Sequence, residues 1–153
     1  MMNKSIKPIT IFPANLKTLW LNENYNYPFA NNLPLSLIDL TINNNCYLQE
    51  LPPNLESLTL HDKFNSPLPL LPITLKHLYL HMQYNHILPE PLPVHLQTLY
   101  MGALYNHSLD NLPQGLLKLT IVGHPGIYTI YELKPSLDNL PNTIITLDIF
   151  CKY

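Results

Sequence analysis

A proline that follows a bulky apolar residue returns at near-constant intervals, and this rhythm restricts the fold more than any other feature of the chain. The prolines are Pro13, Pro34, Pro52, Pro72, Pro93, Pro113 and Pro141, each after Leu except Pro13, which follows Phe12. By subtraction, the intervals are 21, 18, 20, 21, 20 and 28 residues. An apolar triplet follows each proline at fixed offsets: Leu16/Leu19/Leu21, Leu37/Leu40/Ile42, Leu55/Leu58/Leu60, Leu75/Leu78/Leu80, Leu96/Leu99/Met101, Leu116/Leu119/Ile121 and Ile144/Leu147/Ile149. The clearest copy, Leu71 to Asn85, reduces to L-P-x-x-L-x-x-L-x-L-x-x-x-Y/F-N. Seven matches at one spacing define a repeat protein.

The closing L-x-L of each unit alternates apolar with polar, the period of a strand with one buried face. A unit of about 20 residues is too short to return through anything but extended segments and turns. Pro67, Pro69 and Pro72, or Pro89, Pro91 and Pro93, exclude a helix from the return path. The sequence therefore predicts a right-handed repeat solenoid, leucine-rich-repeat-like, with one short parallel strand per ~20-residue coil and a proline-rich, nearly helix-free convex side. Neighbouring strands stand about 4.8 Å apart in such a stack. The whole of residues 1–153 reads as one solenoid of about seven repeats, interrupted by an insert at about 122–139.

The repeat phrase also carries a family resemblance. L-x-x-L-x-L marks leucine-rich repeats, and the L-P-x-x-L start joined to an aromatic-Asn pair resembles the FNIP repeat of slime moulds and giant viruses. The best copies are Tyr25-Asn26-Tyr27-Pro28-Phe29, Phe64-Asn65-Ser66-Pro67-Leu68, Tyr84-Asn85-His86-Ile87-Leu88 and Tyr105-Asn106-His107-Ser108-Leu109. The similarity covers roughly residues 9–150 and departs at Cys46-Tyr47 and at Pro125-Gly126. It implies a protein-binding module in an intracellular, cytoplasmic setting (the host cytoplasm if viral). FNIP-like repeats often follow an F-box, which implies a substrate-recognition adaptor. The sequence starts almost directly with repeats, so no F-box is expected ahead of them, and an adaptor role is expected only if the module acts with a separate protein. A bacterial ligase effector uses a similar L-P-x-x-L repeat but lacks the aromatic-Asn phrase.

On the residues themselves, Tyr25, Phe64, Tyr84 and Tyr105 fall at equivalent places and are expected to stack at the turn after each strand. Asn26, Asn65, Asn85 and Asn106 are expected to form an amide ladder beside them. Cys46 takes the aromatic place in the second unit and reads as a small buried hydrophobe.

Composition closes off several function classes. Only 12% of residues are charged, and the formal net charge of -2 leaves no footprint for nucleic acid or an anionic membrane. No apolar run approaches a membrane span, and the N-terminus lacks a signal-peptide pattern. Two distant cysteines, Cys46 and Cys151, fit a reducing compartment. No P-loop, dinucleotide turn, G-x-S-x-G or H-E-x-x-H is present, so no enzyme and no cofactor are expected.

Period two places three outward columns on the strand face. They run Thr18, Asp39, Ser57, His77, Thr98, Lys118, Thr146; then Trp20, Thr41, Thr59, Tyr79, Tyr100, Thr120, Asp148; then Asn22, Asn43, His61, His81, Gly102, Val122, Phe150. Thr and Tyr suit any exposed strand. The candidate partner-binding residues are Trp20, His61, His77, Tyr79, His81 and Tyr100, because rings on a rigid face are common interface material. A metal site is not expected. His77 and His81 lie roughly 13 Å apart along one strand, and the lateral pair His61 and His81 has no third ligand beside it.

The insert from Gly123 to Glu132 alternates Ile and Tyr and is expected to form an extra strand or a protruding loop. Ile9-Thr10-Ile11 is expected to add a partial first strand. Neither end shows a capping helix, so a second chain pairing against the terminal strands is the alternative to recognition through the strand face. That alternative is a structural, self-assembling protein, a homodimer through uncapped sheet edges.

Overall fold

The computed structural model describes residues 9, 11–25, 33–43, 46–102, 104–123 and 135–150. Its strands are β1 (Thr18–Leu21), β2 (Asp39–Ile42), β3 (Ser57–Leu60), β4 (His77–Leu80), β5 (Thr98–Gly102), β6 (Lys118–Val122) and β7 (Thr146–Phe150). They form one sheet in chain order, and every neighbouring pair is parallel. Among the described residues there is no helix. This is the architecture of a leucine-rich-repeat-type solenoid, with each strand on the x-L-x-L segment of its unit.

The register follows from the apolar triplets. Leu19, Leu40, Leu58, Leu78, Leu99, Leu119 and Leu147 pair as one row across all seven strands. From β2 to β6 the members of that row are 0% exposed. A one-residue slip in any strand would turn its leucines to solvent, so burial fixes the alignment. The row frays at the ends. Leu19 is half-buried, and Leu147 is 45% exposed although its partner Leu119 is fully covered.

The prolines do something more specific than keep the back extended. In every unit the proline carbonyl accepts a hydrogen bond from the N–H three residues later, at Leu16, Leu37, Leu55, Leu75, Leu96, Leu116 and Ile144. Proline thus opens a β-turn that delivers the chain into the strand. A second turn leaves the strand, with the N–H groups of Tyr25, Phe64, Tyr84 and Tyr105 donating to the carbonyls of Asn22, His61, His81 and Gly102. The strand is held between two turns, which explains how about 20 residues suffice for a coil.

Stacked turns leave carbonyls to be satisfied, and the second residue after the proline often does this. Ser36 donates to Leu16 O (2.7 Å), Asn54 to Leu35 O (3.0 Å), Thr74 to Leu55 O (2.8 Å) and Thr143 to Leu116 O (2.9 Å). Each bond ties a coil to the one before it. These residues sit at one repeat position, a periodic signal that the leucines overshadow in the sequence.

The aromatic column forms as the repeat requires. Tyr25, Phe64, Tyr84 and Tyr105 are buried, and the rings of Phe64 and Tyr84 stack at 6.4 Å and 18°. Burial pushes the Tyr84 and Tyr105 hydroxyls above the ordinary tyrosine range. Cys46 stands buried at its place in the second coil, and burial pushes its thiol up to about 12. Such a thiol packs and does not react. The amides stand nearer the surface: Asn85 Oδ1 accepts from the Asn106 N–H at 3.0 Å, while Asn65 and Asn106 are exposed and Asn26 lies outside the described residues.

The partial strand expected at Ile9-Thr10-Ile11 does not form at its described members. Ile9 and Ile11 belong to no strand, and the Ile9 N–H is satisfied instead by the Tyr25 hydroxyl at 3.0 Å. Thr10 lies outside the described residues, as do residues 124–134 of the insert and Cys151.

Candidate interaction face

The sheet puts its leucine row inward and leaves the alternate residues on the opposite face. On β3 and β4, with the residues that follow them, the outward positions hold Thr59, His61, His77, Tyr79 and His81; β5 adds Thr98 and Tyr100. Four of the six sequence-predicted residues are drawn into one group. The imidazoles of His61 and His81 lie 4.5 Å apart between centroids, His81 reaches Tyr100 at 5.5 Å, and Tyr79 reaches Tyr100 at 6.3 Å. All three contacts are tilted by 33–44°. Each ring is half-buried by its neighbours, so each side chain is held in place before any partner arrives.

The other two candidates stand apart. His77 is spent on a structural contact, its Nδ1 lying 3.2 Å from the Thr98 hydroxyl. Trp20 is 73% exposed on β1, and its lateral partners Thr41 and Thr59 separate it from Tyr79. Three strand spacings, about 14 Å, keep it out of the ring group.

One residue joins the group that the column pattern does not contain. Asp62 follows His61 in the exit turn, and its Oδ1 lies 3.7 Å from His81 Nδ1 and accepts weakly from the Met82 N–H at 3.4 Å. No period-two reading places it on the face. The sequence signal was only its adjacency to His61.

His81 is kept below the ordinary histidine range, mainly by burial and then by the neighbouring His61, with Asp62 pulling the other way. The consequence for stability has a definite sign. The unfolded chain binds a proton at His81 near pH 6.5 while the folded chain resists it until lower pH. The neutral-imidazole contribution is therefore complete above the unfolded value and is lost as pH falls through the folded one. Urea midpoints measured at pH 8 and pH 5.5 are expected to drop less for His81→Asn than for the native chain. An equal drop in both would remove His81 from the account.

Around the rings the lysines are already engaged. Lys63 meets Glu23 at 2.8 Å, Lys76 meets Glu56 at 2.9 Å and Lys118 meets Asp148 at 3.2 Å. All are well exposed and add little to stability. Among the described residues no group of three His, Cys, Asp or Glu is arranged to hold a metal ion. Among these residues there is no helix long and apolar enough to cross a membrane.

Two further histidines have structural work that the sequence did not announce. His86 Nε2 and His107 Nε2 each lie 3.0 Å from a backbone oxygen of the preceding coil, at Asn65 and Asn85 respectively. Each ring also stands edge-on to the tyrosine two residues earlier, Tyr84 or Tyr105. His107 helps line a cleft of about 200 Å³ with Ile87, Glu90, Tyr105 and Asn111. Within that cleft Asn111 Nδ2 donates to Glu90 Oε1 at 2.6 Å, while Ser108 bonds Asp110 outside the lining.

The fold and this face together define a leucine-rich-repeat-type scaffold. Residues 48–83, spanning the third and fourth strands, match the FNIP repeat family model. Among solved structures, the chain is similar to CroV588 of the giant virus CroV, described as a novel circular LRR protein, with a TM-score of 0.54 and 24% identity. That alignment covers 93% of this chain and 28% of the other, so this chain spans little more than a quarter of its neighbour. The likeness establishes the fold. No curated protein matches the sequence.

Proposed function

We propose that this chain is a non-enzymatic protein-recognition module that binds a partner through the strand face of its solenoid. The observation that carries the reading is the ring group His61, Tyr79, His81 and Tyr100, drawn from three adjacent coils at centroid distances of 4.5–6.3 Å. Other outward strand positions are mostly Thr, Ser, Asp or Lys. Half-buried aromatic groups on a rigid sheet lose little freedom on binding and offer apolar area with polar edges. Repeat solenoids of this kind are typically interaction scaffolds.

An affinity pull-down from the native cell identifies the partner and tests the face. Alanine at both Tyr79 and Tyr100 is expected to weaken capture about tenfold or more while the melting curve stays close to that of the native chain. Unchanged capture by a folded double variant would move the site elsewhere. The finest form of this reading is a substrate-recognition adaptor, which requires that the captured set include a ubiquitin-ligase component.

A second reading concerns the sheet edge. Leu147 and Phe150 on β7 are 45% and 66% exposed, although their register partners Leu119 and Val122 are covered or half-covered. Apolar side chains on an edge strand suit a further strand, and a second copy of this chain supplies one in a homodimer. The circular form of CroV588 is consistent with end-to-end continuation of such coils. Solution mass measured over a wide concentration range decides this: a strict monomer throughout would remove it.

A further inference from the structure

We propose that the ring group and Asp62 together form a binding site for an arginine side chain presented by the partner. The proposal rests on the reading that the strand face binds a protein and adds the chemistry of what is held.

Three features point to a cation. The first is the rings: His61, His81, Tyr100 and Tyr79 form a continuous aromatic surface across three coils. A cation over an aromatic face is attracted by the ring quadrupole, most strongly where water is partly excluded. The second is a carboxylate beside the rings. Asp62 contacts the imidazole of His81 and, among the described residues, no lysine, whereas Glu23, Glu56 and Asp148 each hold one within 3.2 Å. Its side chain is 58% exposed at the border of the ring group. The third is electrostatic reach. Burial first, and then the Asp62 charge, raise the Tyr100 hydroxyl above its ordinary range, so the carboxylate acts on the far ring as well as on the near one.

Arginine fits this arrangement better than lysine. A planar guanidinium can lie on a ring and still direct N–H donors sideways to a carboxylate. The tilted rings supply the surface and Asp62 supplies the acceptor. The groups facing His81 are His61 and Asp62 from the end of β3 and its exit turn and Tyr100 from β5. A proton on His81 would place a positive charge 3.7 Å from Asp62, where the guanidinium needs to sit. Binding is therefore strongest with His81 neutral and weakens as pH falls.

The test is a titration of the full chain, followed by NMR of the His and Tyr ring protons, with two short capped peptides. They are identical except that one carries arginine and the other citrulline, which has the same shape without the charge. The arginine peptide is expected to shift His81 and Tyr100 saturably and to bind about fivefold or more tighter than the citrulline peptide. Asp62→Asn is expected to bring the arginine peptide down to the citrulline level, and lowering the pH from 7.5 to 5.5 to weaken it in the native chain. Equal binding of the two peptides, no effect of Asp62→Asn in a chain with unchanged backbone dispersion, or no shift at His81 and Tyr100 would each overturn the proposal. The underlying reading fails separately. A partner lost on changing Tyr79 and Tyr100 but kept with Asp62→Asn leaves recognition by the face standing without an arginine anchor.

Discussion

Leu78→Ala is expected to cost about 3–5 kcal/mol of unfolding free energy, the largest stability loss of any single truncation considered for this chain. Leu78 is 0% exposed and lies at the middle of the seven-stranded row, between Leu58 and Leu99. Removing three carbons there loses the burial of the side chain and leaves a cavity that its neighbours, each fixed by its own coil, cannot collapse into. A repeat array adds a second reason. Each coil contacts only its neighbours, so weakening β4 divides the stack into two shorter arrays that are each less stable. The same change at Leu147, 45% exposed on β7, is expected to cost less, about 1 kcal/mol, because nearly half of its surface already meets water. Chemical denaturation followed by circular dichroism checks both. Equal losses at the two positions would contradict a core centred on the inner coils.

The contrast between those leucines is legible in the sequence, because a repeat protein writes its core as a period. All seven apolar triplets landed on or beside the seven strands, and the paired columns on the face followed from the alternation along each strand. What period alone could not give was side-chain direction. His61, Tyr79, His81 and Tyr100 converge, yet His77, drawn from the same columns, turns to Thr98. Trp20 was a candidate by its chemistry, and counting strands already places it further off, near the N-terminal end of the sheet. Asp62 was invisible because it belongs to a turn, where the geometry of the hydrogen bonds decides what a side chain meets. His86 and His107 illustrate the same point: their rings close backbone bonds between coils, a role set by how the coils stack. The prolines keep a helix out of the described return path as the sequence predicted, and they also accept the bond that starts each entry turn, which the spacing alone does not show.

Gly102→Ala is expected to damage both the fold and the face, which separates it from every substitution on the rings themselves. Gly102 stands in the third column, where His61 and His81 occupy the earlier coils, so the alignment alone suggests that a side chain fits there. It does not. A Cβ built on Gly102 would lie 2.4 Å from Met82 Cα and 2.9 Å from Met82 O, both backbone atoms that no rotamer change can move aside. The exit turn of the fourth coil must therefore withdraw from β5, at a cost of about 1–3 kcal/mol. That withdrawal acts on the contacts made across the same gap, His81 to Tyr100 and Tyr79 to Tyr100. Partner capture is expected to fall along with the melting temperature, whereas alanine at Tyr79 and Tyr100 lowers capture alone. Gly115→Ala provides the comparison within the same chain. Its Cβ would meet one close backbone atom, Val94 O at 2.6 Å, with the next at 3.7 Å, so fewer backbone atoms must shift and a smaller destabilisation is expected, away from the ring group and with binding retained. Thermal melts and pull-downs on the three variants measure both quantities. A Gly102→Ala chain as stable as the native one would show that β4 and β5 separate freely, and the ring group would then lose its claim to be held in place by the coils beneath it.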